Sequence, residues 1–152
     1  MAASAWQLYN EAKKYIGNGT ITLGAGVFKM VLAQSASNAS TFTLSLYSQI
    51  TSEIATAGGY AAGGRSLVPA TAQWTVGASA KQMKFTQTTT GLTFTASGAN
   101  LVNIKYAIIR NSVSGSDGKL LCFCRLSSSQ FTVASPNTLT IIPAATGIFT
   151  LT

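Results

Sequence analysis

Surface chemistry needs proton carriers, nucleophiles or metal ligands, and in this chain they are scarce. Histidine is absent from its 152 residues, and the only carboxylates are Glu11, Glu53 and Asp117. General acid–base catalysis and most hydrolytic metal sites draw first on His, Asp and Glu. Ser and Thr are plentiful, yet a hydroxyl nucleophile needs a base, and every arrangement that uses histidine is closed. A Ser–Lys dyad is formally open, but no pair stands out. Glycoside hydrolysis needs two carboxylates flanking one bond. Here the three fall on a helix (Glu11), a loop (Glu53) and a hairpin turn (Asp117). The expectation is a protein that is not an enzyme and carries no cofactor and no metal.

The two cysteines, Cys122 and Cys124, form a C-x-C pair within KLLCFCRL. Residues two apart on a strand share a face, which puts both thiols opposite Phe123. Two ligands without histidine or a second cysteine pair do not make a structural zinc site. A disulfide between same-face strand neighbours would be strained. The expectation is two reduced cysteines packed as small hydrophobes. The glycine-rich run GGYAAGG (58–64) lacks the strand and GK[ST] context of a phosphate cradle. Trp6, Trp74 and the tyrosines could stack against a sugar, although core packing is the more general role of buried aromatics.

The elements that must position these residues are mostly strands. Ala5, Leu8, Tyr9, Ala12, Tyr15 and Ile16 follow helical spacing, so a single helix is expected over 4–17. Ser4 and Gln7 would form its capping box, and Gly17-Asn18-Gly19 would end it. The helix is expected to cover its own sheet or, through Trp6 and Tyr9, to lie on a neighbouring subunit. After Gly19 short β segments are expected at 20–23, 27–34, 41–47, 65–68, 71–76, 82–86, 92–96, 103–110, 119–126, 130–134, 138–142 and 148–151. The segment 41–47 alternates, with Phe42, Leu44 and Leu46 on one face, and 92–96 does the same with Leu92, Phe94 and Ala96. Asp117-Gly118 marks a hairpin turn. Residues 49–64 read as a long loop in which Ile50 and Ile54 could form one helical turn, and long loops are often contact elements. Many short strands with Gly and Ser punctuation predict an all-β fold, a β-sandwich (jelly-roll-like) or small barrel with one N-terminal helix. The length fits one domain over residues 1–152.

The charged fraction is only 9%, against 47% apolar residues, and the net charge is +7. A positive balance fits a partner of negative potential. The ten Lys and Arg residues are dispersed, with no run longer than two. Nucleic-acid binders usually gather such residues on one stripe with interleaved aromatics. An acidic protein surface is therefore expected rather than direct nucleic-acid contact. No apolar run approaches the ~20 residues of a spanning helix, and the turns are too irregular for an outer-membrane barrel. The opening MAASAWQLYNEAKKY lacks the layout of a signal peptide. A soluble protein, kept in the cytosol or in an assembly built there, is expected.

The run YNEAKKYIGNGTITLGAGVFKMVLAQS (9–35) resembles the opening of a family of small virion proteins of tailed double-stranded DNA bacteriophages. That opening has a short helix, an "NGTI-L" turn and a strand of the type "FKVAL". GGYAAGGRSL (58–67), KYAIIR (105–110) with its following hairpin, LLCFCRL (120–126) and TGIFTLT (146–152) are similar to that family in the same order. Members are associated with capsid decoration (cement) and with other head or tail components. The chain departs from the pattern in charge. Relatives often carry acidic residues, as in "DLDTDTFKVAL", where this chain has TITLGAGVFKMVL (20–32). No cation-binding role is carried over. The resemblance implies a virion decoration protein that binds the major capsid protein and copies of itself as a homo-oligomer on the capsid exterior. Tail or head–tail-joining roles and a receptor- or glycan-binding module are the alternatives. Trp6, Tyr9, Lys13, Lys14, Tyr60 and Arg65 are the candidate subunit contacts.

Overall fold

The computed structural model describes residues 3–67, 73–77, 79, 81–87, 90–112 and 118–151. Within them the fold is mostly β, with one helix and several antiparallel sheets. Strands β2 (Phe28–Gln34), β7 (Leu101–Asn111) and β8 (Leu120–Arg125) form the centre of the largest sheet. Its order is β1-β8-β7-β2-β3, with β1 (Gln7–Leu8) and β3 (Arg65–Ser66) as two-residue strands at its ends and β9 (Phe131–Val133) also pairing with β7. A three-stranded sheet is ordered β11-β5-β4, from Phe149–Leu151, Met83–Phe85 and Trp74–Val76. A two-stranded sheet pairs β6 (Leu92–Thr95) with β10 (Thr138–Ile141).

The central strands are buried along nearly their whole length, because both faces of their sheet are covered. Val31, Ile108 and Phe123 are cross-strand neighbours and share one face. Tyr9 and Phe42 pack on Phe123 there, with ring centroids 5.1 and 5.4 Å away. Met30, Ile109 and Cys122 are likewise in register and share the other face. The three-stranded sheet joins the core through a run of rings: Phe28 meets Phe85 edge-on at 5.0 Å, and Phe85 stacks on Phe149 at 5.3 Å.

Several expected elements take a different form. The helix spans Asn10–Gly17 rather than 4–17. Residues ahead of it run extended along β8: the Ser4 amide donates to the Arg125 carbonyl at 2.8 Å, and Gln7 and Leu8 pair with Phe123 and Cys122. The Ser4 hydroxyl accepts from the Arg125 amide at 2.9 Å and caps no helix. A bare β8 edge would leave backbone donors and acceptors unpaired, and an eight-residue helix gains too little by growing to outweigh them. At its other end the helix stops at Gly17-Asn18-Gly19 as the sequence indicates, with Gly19 at φ 78°.

Residues 20–23 make turns, and 41–47 makes a turn that leads to a single antiparallel bridge, Leu46 to Lys119, rather than a strand. The Leu120 amide donates to the Ser45 carbonyl at 2.9 Å and the Tyr47 amide to the Gly118 carbonyl at 2.8 Å, and polar side chains cut the ladder short there. Gln49 Oε1 accepts the Ser45 and Leu46 amides at 2.8 and 2.9 Å, and Asn38 and Thr51 exchange side-chain-to-backbone bonds at 3.0 and 3.2 Å. Such bonds offer the backbone an alternative to a sheet partner. Ile50 and Ile54 are not a helical turn either: the single 3-10 turn here is Tyr47–Gln49, and Glu53 bridges Ala33 beside β2. Asp117 of the expected hairpin turn and residues 68 and 71–72 of two expected strands lie outside the described residues.

Candidate functional site

The long segment 49–64 is a built arm lying against the edge of β2. It runs antiparallel to the end of that strand, where the Gln34 amide donates to the Ser52 carbonyl at 2.9 Å and the Ile54 amide to the Leu32 carbonyl at 3.0 Å. It reverses at Ala57–Tyr60, which exchange backbone bonds around Gly58 and Gly59, at φ 59° and 80°. Two successive positive φ values define a turn that glycine makes without strain. The arm then returns to β2 as β3. Gly64, at φ 81°, passes so close to the strand that a Cβ there would sit 2.2 Å from the Met30 carbonyl oxygen.

A polar cluster fastens the arm. Tyr60, 4% exposed, accepts the Leu32 amide at 3.1 Å and so fills a gap in the β2 edge. Its hydroxyl donates to Glu53 Oε1 at 2.7 Å, and the Gly63 amide donates to the same oxygen at 2.7 Å. The Tyr47 hydroxyl donates to Glu53 Oε2. The Gly63 carbonyl accepts Arg110 Nη2 at 3.0 Å and Nε at 3.3 Å, and the Arg110 guanidinium lies 4.1 Å from the centre of the Tyr47 ring. Arg110 is 5% exposed, and its Nη1 finds no hydrogen-bond partner among the described residues. Burial, followed by the bond to Glu53, pushes the Tyr47 phenol up to about 12. Burial, then the negative charge of Glu53, raises Tyr60 still further. Phenols held protonated in this way serve as donors to Glu53, and the cluster ties the loop to β2.

In front of this cluster lies a cleft of about 270 Å³, between the arm and β6. Tyr60 and Phe94 wall it with ring centroids 5.9 Å apart. Arg65, exposed, lines it and donates through Nη1 to the Thr93 carbonyl. Two candidate contacts from the sequence, Tyr60 and Arg65, therefore meet at one place.

The other candidates do not gather there. Tyr9 is fully buried, with its hydroxyl donating to the Ala39 carbonyl at 2.6 Å, and it presents nothing to a neighbour. Trp6 is half-buried and lines an apolar groove with Cys124, Ile141 and Phe149. Lys13 and Lys14 are exposed on the helix, and Lys14 pairs with Glu11 at 3.5 Å. Trp6 and Trp74 line different concavities rather than one platform. Arg125 lines a further groove with Tyr106, Gln7 and Ser40.

Both cysteines are buried free thiols. Burial holds Cys122 far above the ordinary thiol value and pushes Cys124 up to about 12. Among the described residues no group of three or more His, Cys, Asp and Glu side chains could hold a metal, and no helix is long and apolar enough to cross a membrane.

Tyr47 and Arg110 went unmarked in the sequence. One signal points to Arg110 in hindsight: a lone arginine ending the apolar strand KYAIIR must find a partner if it is buried. Nothing in the sequence singles out Tyr47. No family model matches the chain, and neither a curated protein nor a solved structure matches it.

Proposed function

We propose that this chain is a non-enzymatic structural protein of a tailed double-stranded DNA phage virion, a decoration (cement) protein on the capsid exterior. In this reading it binds the major capsid protein and copies of itself as a homo-oligomer, without touching nucleic acid. The observation that carries the reading is the engagement of each described carboxylate in holding local structure. Glu53 is closed by Tyr47, Tyr60 and the Gly63 amide, and Glu11 pairs with Lys14 on the exposed face of the helix. What remains outward is a surface of hydroxyls and dispersed cations on a β body, which suits many modest contacts repeated by symmetry. The net charge of +7 favours fast association with an acidic shell. The sequence resemblance to phage virion proteins points the same way. The finer architecture belongs to the proposal too: a sandwich-like body in which the three-stranded sheet packs on the large one through Phe28, Phe85 and Phe149.

Crosslinking mass spectrometry on intact particles tests the assignment. Crosslinks from Lys13 or Lys14 to the major capsid protein are expected. Recovery of the chain only in the tail fraction of disrupted particles, with crosslinks to tail proteins alone, would overturn it in favour of a tail or joining role.

A further inference from the structure

We propose that the cleft between the 59–65 arm and β6 is a docking pocket for an acidic side chain carried on a segment of a partner protein. This rests on the assembly reading above and names the chemistry of one of its contacts. The pocket has a charged group, apolar walls and a backbone-lined opening in one place. Arg65 supplies the charge. Its Nη1 is anchored on the Thr93 carbonyl, which fixes the planar fork at the rim of the cleft. An arginine fork held in this way matches a carboxylate better than a free ammonium does. Tyr60 and Phe94, tilted 37° to one another, give the methylene stem of a Glu or Asp something to pack on. Gly59 and Gly64 line the opening without side chains. A Cβ on Gly59 would meet the Thr95 carbonyl oxygen at 2.5 Å, so the chain has come as near to β6 as it can.

Charge complementarity selects the occupant. No carboxylate lines the cleft. Of the two carboxylates among the described residues, Glu11 pairs with Lys14 on the helix, while Glu53 sits behind the Tyr60 wall with its oxygens taken. The volume, about 270 Å³, suits one side chain and its backbone and is at the small end for a free ligand. The cluster behind Tyr60 keeps the walls in place before anything binds, which lowers the ordering cost of docking.

The test is a titration of the isotope-labelled full chain with N-acetylated, C-amidated Gly-Glu-Gly, read by amide NMR shifts. Saturating shifts are expected at Gly59, Tyr60, Gly64, Arg65 and Thr95, and none with Gly-Gln-Gly. Arg65→Ala should weaken binding about tenfold, the scale of one charge-assisted hydrogen bond, whereas Lys13→Ala should leave it unchanged. If Arg65→Ala disturbs the spectrum away from the cleft, Arg65→Lys replaces it, keeping charge without the fork, and a severalfold loss is expected. Equal shifts with the Gln peptide would overturn the proposal. So would shifts centred on Lys13 and Lys14 or on the Arg125 groove, or a response to glucuronic acid without one to the peptide. Cleft shifts together with tail-only crosslinks would sink the capsid reading and leave the pocket standing. Capsid crosslinks without cleft shifts would do the reverse.

Discussion

The central strands and the 49–64 arm lie side by side along β2 but are held by different forces. In the sheet, Ile108 and Ile109 are fully buried, between Met30, Val31, Cys122 and Phe123. That cohesion is non-directional and scales with apolar area removed from water. The arm buries few large apolar groups. It depends on glycines at positive φ and on hydrogen bonds converging on Glu53. The contrast separates a body that sets stability from an arm that sets shape, and the cleft is built on the arm.

Substitutions can break that separation, and the largest effect is expected in the sheet. Ile108→Ala removes a fully buried side chain and should cost about 2–5 kcal/mol of global stability in urea unfolding. A cost below 1 kcal/mol would mean that the core is not where the structure puts it. Glu53→Ala comes next, at about 2–3 kcal/mol, because the Gly63 amide and two phenols lose their acceptor together. Its signature is regional: amide exchange should quicken at Ile54, Tyr60 and Gly63 and stay slow at Ile108 and Cys122. Uniform acceleration would show that arm and sheet unfold as one unit.

Alkaline pH sharpens the comparison further. An acid whose pKa is raised by folding is favoured in its protonated form. Tyr47 therefore contributes stability that is whole below its ordinary value of 10 and is lost as pH rises toward about 12. Unfolding midpoints should fall across that window, and Tyr47→Phe, itself about 1 kcal/mol less stable, should show a shallower fall. An identical fall in the variant would place the sensitivity elsewhere. The smallest effect belongs to the helix, where Lys14→Ala breaks an exposed ion pair and should change stability by less than about 0.5 kcal/mol.

The same contrast explains what could be read from the chain beforehand. KYAIIR and LLCFCRL are continuous apolar runs, and both became central strands buried on two faces, with both thiols in the core. Gly17-Asn18-Gly19 ended the helix because a positive φ is a local property of the residue. The start of the helix was not legible, since residues 4–8 are decided by the unpaired edge of β8, more than a hundred residues away. Phe42, Leu44 and Leu46 alternate as a strand would, yet the segment keeps only one bridge, Leu46 to Lys119, while the Gln49 side chain takes up the Ser45 and Leu46 amides. The arm was hidden for a similar reason. Glu53, Tyr60 and Arg110 become a cluster only when Gly58, Gly59 and Gly64 fold the chain back on β2, and no spacing in the sequence announces that return. Tyr60 and Arg65 were marked as contacts, one on the long loop and one at the start of an expected strand. The first proved to be a wall and the second the charged rim of the same cleft.

A cryo-EM map of the intact particle tests the central claim, that this β body is an assembly part docked on a shell, most directly. The account predicts density for the chain on the outer surface at capsomer boundaries, with the cleft beside Arg65 facing an acidic segment of the shell protein. Density for the chain confined to an axial ring in the tail or at the head–tail joint would contradict it.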